Sequence, residues 1–266
     1  MNNNLKKIEL EERKKLQLDI LDSIHNFCVK NNIKYTLAYG TLLGTVRHGG
    51  YIPWDDDVDI AMLRKDYELF VNKFNDDRYK VATFENTNIL LSFAKVYDSK
   101  TVIVDRKANT HSLGVNVDLF PIDNSPESDL MYRINRLHIR LLKYCNVIKL
   151  FKFNKETSVM NNMVGLVAKA FLILFPKTYF VKRIICLSKK YNDKETIKAI
   201  NWAAAGDFLP LEKSIYNNLQ LVPFEDRHYF AIVDADKYLS NEYGDYMTPP
   251  PIEKRISYHT SDAYWK

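Results

Sequence analysis

Cysteine is scarce in this chain of 266 residues. Cys28, Cys145 and Cys186 are odd in number and far apart. That excludes a disulfide framework and any paired thiolate metal site, and it suits a reducing cytoplasm. Long apolar runs are missing too. The segment Met163 to Phe175 is too short for a membrane span and is interrupted by Lys169. The start, Met1 to Lys7, has no apolar stretch of the secretory kind, so a cytoplasmic location is expected. There is no internal repeat, and no recognised nucleic-acid-binding module, so nucleic acid is not expected as a partner. What remains is a chain with 46% hydrophobic residues, ample for a core of one large domain or two small ones.

The net charge of +5 hides a division. Between Met131 and Lys190 thirteen Lys and Arg face the single acid Glu156, a balance of +12 that leaves −7 for the rest. Arg133, Arg136, Arg140 and Lys143 recur at helical spacing and form a basic stripe. The apolar run 163–175 inside this block reads as a core helix, because apolar helices of that length are usually buried. A helix lying in a membrane interface is the alternative, kept open by the basic surroundings.

Periodicity predicts an amphipathic helix over roughly 5–30, ended by Asn31-Asn32. A strand over Ile33 to Ala38, a Gly-rich turn and a short helix over Leu42 to Arg47 follow. Arg64 to Phe74 reads as a helix. Val81 to Phe84, Ser92 to Tyr97, Thr101 to Val104 and Val115 to Phe120 read as strands, the last ended by Pro121. Residues 126–200 look mostly helical, and 205–266 look loop-rich.

The densest chemistry lies in Tyr39 to Ile60, where a Gly-rich turn precedes Asp55, Asp56, Asp57 and Asp59. On a strand, alternation sets Asp55, Asp57 and Asp59 on one face about 6.6–7 Å apart. Ionised carboxylates so arranged repel one another, and desolvation sharpens the conflict. A hard divalent cation with oxygen ligands removes it, so the row reads as a metal site. Asp56 falls on the core face and reads as a turn or hydrogen-bonding residue. Gly40 and Thr41 would let backbone N–H groups approach a phosphate at a helix N-terminus. Arg47 reads as either a diphosphate ligand or a solvated surface residue. Lys95, on a strand, reads as either a phosphate contact or part of an exposed face.

Three sets of residues resemble the LicD family, which includes fukutin-like proteins and has nucleotidyltransferase-type architecture. The first is Gly40 to Gly44, Arg47, and Ile52 to Asp59. The second is Val117-Asp118-Leu119-Phe120-Pro121-Ile122-Asp123. The third is Val222 to Glu225, Tyr238-Leu239, Tyr243 to Met247, and Pro250 to Glu253 with Arg255. Asp226 departs from the pattern, which often has a small residue there. The resemblance implies an α/β (α+β) fold: a nucleotidyltransferase-like mixed sheet flanked by helices, with an α-helical insertion. One domain would span 1–266, with core motifs in 1–125, the insertion at about 126–200 and a C-terminal segment at 205–266.

The resemblance also makes Asp118 the third carboxylate beside Asp57 and Asp59, the three holding Mg²⁺ or Mn²⁺. Asp55 is left as ligand, base for the acceptor hydroxyl, or structural residue. The implied reaction moves phosphocholine from CDP-choline, or another alcohol phosphate from its CDP derivative, to a sugar hydroxyl. The acceptor would be a bacterial surface glycan (teichoic acid, capsule or lipopolysaccharide) or its lipid-linked precursor. A lipid-linked acceptor would make 131–190 a contact with the inner membrane face. The competing expectations are nucleotidyl transfer, ribitol or glycerol phosphate transfer, and a non-catalytic glycan- or nucleotide-binding protein. Glu225, Asp245, Glu253 and Arg255 match the family pattern and are expected to brace the site, with closing it as the alternative.

Overall fold

The computed structural model describes residues 5–87, 89–105, 110–111, 113–150, 166, 170–204, 209–255 and 261–266. After a short strand β1 (Lys7–Ile8), the amphipathic stretch forms α1 (Leu10–Asn31). It buries Leu16, Ile20, Leu21, Ile24 and Cys28, and Asn32 closes it in the left-handed conformation, φ 53°. Next come β2 (Thr36–Leu37), α2 (Tyr39–His48), β3 (Asp59–Leu63), α3 (Arg64–Lys73), β4 (Tyr79–Ala82), a short α4 (Phe84–Thr87) and β5 (Ala94–Asp98). They are followed by β6 (Thr101–Asp105), β7 (Thr110–His111), β8 (Asn116–Asn124), α5 (Asp129–Leu150) and α6 (Tyr179–Lys189). The chain closes with β9 (Lys198–Ile200), β10 (Leu211–Glu212), β11 (Leu219–Phe224), β12 (Arg227–Ile232), α7 (Ala235–Tyr243) and β13 (Ser261–Trp265).

The central sheet is mixed, with β8 at its heart. On one side β8 runs parallel to β3, which pairs antiparallel with β2. Its other side is shared: residues 116–119 pair antiparallel with β5, and Asp123–Asn124 pair with β9. Helix α1 packs on β5 and β8, and α3 packs on β3 and β8. A second antiparallel sheet, in the order β1-β13-β6-β7, ties the N-terminal residues to the C-terminal ones. The α/β class and the helix-flanked mixed sheet agree with expectation.

Four sequence expectations are corrected. Asp55 to Val58 are not strand; β3 begins only at Asp59. The backbone there bonds elsewhere: Asp55 N–H donates to the Ile52 carbonyl at 2.9 Å, and Gln17 Nε2 on α1 donates to the Asp56 carbonyl at 2.9 Å. The Asp56 side chain is drawn to the same helix, where Arg13 Nη1 lies 2.7 Å from its Oδ2. Pro121 does not end its strand. It stands on β8 between the β5-paired and β9-paired stretches, where that edge needs no N–H donor. The segment after 205 is not loop-rich: β11 and β12 form a hairpin over a two-residue turn whose first residue, Glu225, has φ 56°. Of the apolar run, 163–165 and 167–169 lie outside the described residues. Phe171, Ile173 and Leu174 are not core: they are 77%, 75% and 89% exposed.

Between β8 and β9 the described residues are mostly α5 and α6, packed on each other. Their return to the sheet is anchored by ions. Asp123, fully buried on β8, accepts two 2.7 Å hydrogen bonds from Arg64 and one of 2.6 Å from Asn192, beyond α6. Burial pushes the Asp123 carboxyl up, while Arg64 and Asn192 pull it back down. Removing one member of a buried pair strands the other charge. Arg64→Ala should therefore cost about 3–5 kcal/mol in chemical denaturation, whereas replacing an exposed surface lysine such as Lys65 should change little.

Candidate active site

The register of the central sheet assembles the site. Asp59 on β3 is the direct neighbour of Asp118 on β8, and Asp118 is the direct neighbour of Lys95 on β5. Strands about 4.8 Å apart set such side chains side by side on one face. Lys95 Nζ lies 2.5 Å from Asp118 Oδ1 and 3.1 Å from Asn116 Oδ1. Asp55 and Asp57 join this row from the loop ahead of β3. The two are hydrogen-bonded to each other, and both bear electrostatically on Asp59.

The electrostatics follow. Burial, then the Asp57 charge and the shared hydrogen bond, push the Asp55 carboxyl up to about 7. Asp59 is pushed well above the usual carboxylate range by burial and by Asp57, Asp118 and Asp55, with Lys95 opposing. Four hard oxygen donors that resist joint ionisation match the chemistry of Mg²⁺ or Mn²⁺. No group of three or more His, Cys, Asp or Glu side chains stands ready as a coordination shell among the described residues. Lys95 and the Asp55–Asp57 hydrogen bond occupy oxygens that a cation would take.

Helix α2 starts against this row. Tyr39 begins it with φ 47°, a conformation unusual for an aromatic residue. Asn201 Nδ2 at 2.5 Å from its hydroxyl and the rings of Phe120 and Tyr238 hold it there. Gly40 follows, so close to the acids that a Cβ would sit 2.8 Å from Asp55 Oδ2. The Thr41 side chain works on the protein itself: its Oγ1 accepts the Asp59 N–H at 2.8 Å and fixes the start of β3.

Arg47 leaves α2 on another side. Its Nη1 donates to the Tyr246 carbonyl at 2.8 Å, and Nε donates to His48 Nε2 at 3.0 Å. Burial and the nearby Arg255 push Arg47 down, and His48 is lowered by burial, Arg47 and Arg255. Trp54 packs between His48 and Arg255. Glu225 braces the turn at Gly49-Gly50 after α2: its N–H donates to the Gly49 carbonyl at 2.9 Å and its Oε1 accepts the Tyr51 N–H at 2.8 Å. The approach is close: a Cβ at Gly50 would lie 2.1 Å from Glu225 Oε1, so any side chain there would displace the Glu225 carboxylate. Asp245 accepts from Thr248, and Glu253 is exposed. Asp55, Asp57, Asp59, Asp118, Lys95, Gly40 and Thr41 thus come together, while Arg47 and the C-terminal motif form a flanking cluster.

Two neighbours escaped the sequence reading. The Tyr243 hydroxyl is raised by burial and by Glu242, Asp59, Asp55 and Asp57, which sets it beside the acids; it also bears on Arg47. Its place in the third motif, just before Gly244, was the available signal. Glu242 carries none. It is half-buried, its Oε2 has no partner, and burial raises its carboxyl to about 8.

The comparisons with known proteins give the family. Residues 32–179 match the model of the LicD/FKTN/FKRP nucleotidyltransferase domain. The chain belongs to the LicD family and is a transferase. One relative, from Haemophilus influenzae, is named lipopolysaccharide cholinephosphotransferase LicD. It is 30% identical over 272 residues, covering 98% of this chain and 99% of that protein. Uncharacterized proteins of Rickettsia typhi and Rickettsia prowazekii are 38% and 36% identical over 29% and 35% of this chain, and over 26% and 33% of their own lengths.

Glu242 supplies a pH signature. A carboxyl raised in the folded state favours folding below its unfolded value, near 4.5, and loses that contribution as pH rises through about 8. Glu242→Gln removes the ionisation. Its melting temperature relative to the parent should rise by several degrees between pH 6 and pH 9, measured by differential scanning fluorimetry without metal.

Proposed function

We propose that this protein transfers phosphocholine from CDP-choline to a sugar hydroxyl of a cell-surface glycan or its lipid-linked precursor. The observation that carries the reading is the single cross-strand row of Asp59, Asp118 and Lys95, joined by Asp55 and Asp57 at the start of α2. Near-full-length similarity to a lipopolysaccharide cholinephosphotransferase supports the choice of alcohol and the glycan acceptor.

Asp57, Asp59 and Asp118 would hold Mg²⁺ or Mn²⁺. Such an ion, when bound, offsets charge on the diphosphate and on the phosphorus being displaced. The residues of the chain do the rest. Gly40 and Thr41 present backbone N–H groups at the start of α2, where a phosphate is favoured. Lys95, poised on Asp118, neutralises charge on the transferred phosphoryl group. Asp55 accepts the proton of the sugar hydroxyl as its oxygen forms the new bond to the distal phosphorus. The bond from that phosphorus to the bridging oxygen breaks, and CMP leaves with the electron pair. Arg47, tied to Tyr246, closes the flank of the diphosphate site.

We further propose that the region 131–190 rests on the cytoplasmic face of a membrane. No helix among the described residues is long and apolar enough to cross one. On α5, however, Leu130, Ile134, Leu137, Leu141 and Tyr144 recur at alternating steps of four and three, and all are exposed. Arg133, Arg136 and Arg140 accompany this stripe, and Phe171, Ile173 and Leu174 extend the apolar surface. Such a combination suits an anionic bilayer surface.

CMP release by purified protein tests the reaction. With Mg²⁺, CDP-choline and a glycolipid extract, acceptor-dependent CMP is expected, and chelator or Asp57→Asn/Asp59→Asn should lower it at least about 10²-fold. Turnover of CDP-ribitol or CDP-glycerol in place of CDP-choline would change the alcohol. Turnover of nucleoside triphosphates alone, or of nothing, would overturn the reading. Vesicle co-sedimentation tests the membrane contact. Phe171→Ser/Leu174→Ser should lower binding to vesicles rich in anionic lipid, and unchanged binding would count against docking.

A further inference from the structure

A second set of charges stands on the flank of the carboxylate row. Arg47, near the end of α2, and Arg255, beyond Pro250, meet around Trp54 and His48. The Arg255 guanidinium lies over the Trp54 ring, 5.3 Å from its centre, and the His48 ring meets the same indole edge-on at 6.2 Å. Arg47 donates to His48 Nε2 and to the Tyr246 carbonyl, and Arg255 Nε donates to the Pro250 carbonyl at 2.8 Å. All these acceptors are neutral. Among the described residues no carboxylate pairs with either guanidinium, and each carries more N–H donors than these bonds use. Burial and Arg255 push Arg47 down, burial and both arginines push His48 down, and no carboxylate acts on Arg47 or His48. Two guanidiniums within electrostatic reach repel one another. An anion held between them turns that repulsion into charge-assisted hydrogen bonding.

This cluster adjoins the row. Trp54 directly precedes Asp55. The Tyr243 hydroxyl feels the charges of Asp59, Asp55 and Asp57 and in turn bears on Arg47, so it stands between the acids and the cations. Tyr243 is 42% exposed, and Met247, next to the residue whose carbonyl Arg47 holds, is 54% exposed. Open aromatic and apolar surface beside two cations suits a phosphate that carries a flat ring system better than a bare phosphate. The same cations repel a quaternary ammonium, so the choline end of a donor does not belong here.

We propose that Arg47 and Arg255 clamp the nucleotide phosphate of the donor, the one that leaves as part of CMP, and that His48 and Trp54 position them. The proposal rests on the transfer reaction above, for which it names the residues that hold the departing group. As the bond from the distal phosphorus to the bridging oxygen breaks, its electron pair stays on the nucleotide phosphate. The two guanidiniums stabilise the charge that gathers there. Arg47 is fixed by His48 and the Tyr246 carbonyl, and Arg255 by the Trp54 ring and the Pro250 carbonyl. The clamp therefore needs little reorganisation when charge develops.

The test reads binding rather than turnover, so its result is independent of CMP release from a donor. CMP is titrated by calorimetry into the full chain without added metal, beside cytidine and inorganic phosphate. Saturable binding of CMP, at least about tenfold tighter than either control, is expected. Arg47→Gln and Arg255→Gln should each weaken CMP about tenfold and leave cytidine unchanged. Arg255→Lys, which keeps the charge and loses the planar fork, should lose only part of that affinity. Circular dichroism confirms that each variant is folded. No binding of CMP, unchanged affinity in both glutamine variants, an equal loss for cytidine, or inorganic phosphate binding as tightly as CMP would overturn the proposal. If CMP binds as expected but CDP-choline yields none, the clamp stands and the transfer reaction falls.

Discussion

Mutual repulsion among Asp55, Asp57, Asp59 and Asp118 is the constraint around which the molecule is arranged. Each neighbouring feature either forces these groups together or limits the cost of doing so. The parallel pairing of β3 with β8 makes Asp59 and Asp118 neighbours. Thr41 captures the Asp59 N–H, and Arg13 with Gln17 holds Asp56 away from the cluster. Lys95 and the Asp55–Asp57 hydrogen bond then absorb part of the charge. Like charges held this close cost folding free energy. The cost is tolerated where function uses the site, and a divalent cation would turn the repulsion into binding energy.

Much of this was legible in the residues, but not the means of achieving it. The acids themselves, the helix before them and the distant Asp118 were readable from motif and pattern. The strand assigned to Asp55 to Asp57 was not right, because alternation says nothing of side-chain and backbone bonds made to α1. Arg13 and Gln17 lie more than thirty residues away in sequence, and no local pattern announces their partner. Pro121 misled for a related reason: its missing N–H ends a strand only if a partner needs that donor, and the partner changes from β5 to β9 beside it. The β11–β12 hairpin was hidden by a turn, Glu225-Asp226, that lacks the usual glycine or asparagine. The exposed α5 stripe was the plainest gap. Its spacing equals that of a buried face, and only the absence of a covering element among the described residues distinguishes the two.

The charge division seen along the chain acquires a spatial meaning. The acidic part contains the carboxylate row, where in the proposed reaction a cation would precede a polyanionic nucleotide. The basic block contains α5, whose exposed apolar stripe and accompanying arginines suit the proposed anionic membrane surface. Lys95 stands at the boundary, paired with Asp118 on one side and set over Phe93 on the other.

The order of elements across the sheet bears on the chemistry itself. From β2 outward, the chain presents the start of α2, then Asp59, Asp118 and Lys95. Displacement at phosphorus places the entering and departing oxygens roughly in line. A donor whose nucleotide end lies by α2 and whose distal phosphorus lies over the acids would point its open face toward Lys95 and beyond. A hydroxyl arriving from the Lys95 side enters along that line. A hydroxyl arriving from the α2 side would meet the departing nucleotide. The side from which the hydroxyl arrives and the proposed choice of phosphorus thus constrain each other: the carboxylates alone serve attack on either phosphorus, but an acceptor approaching from beyond Lys95 favours the distal one.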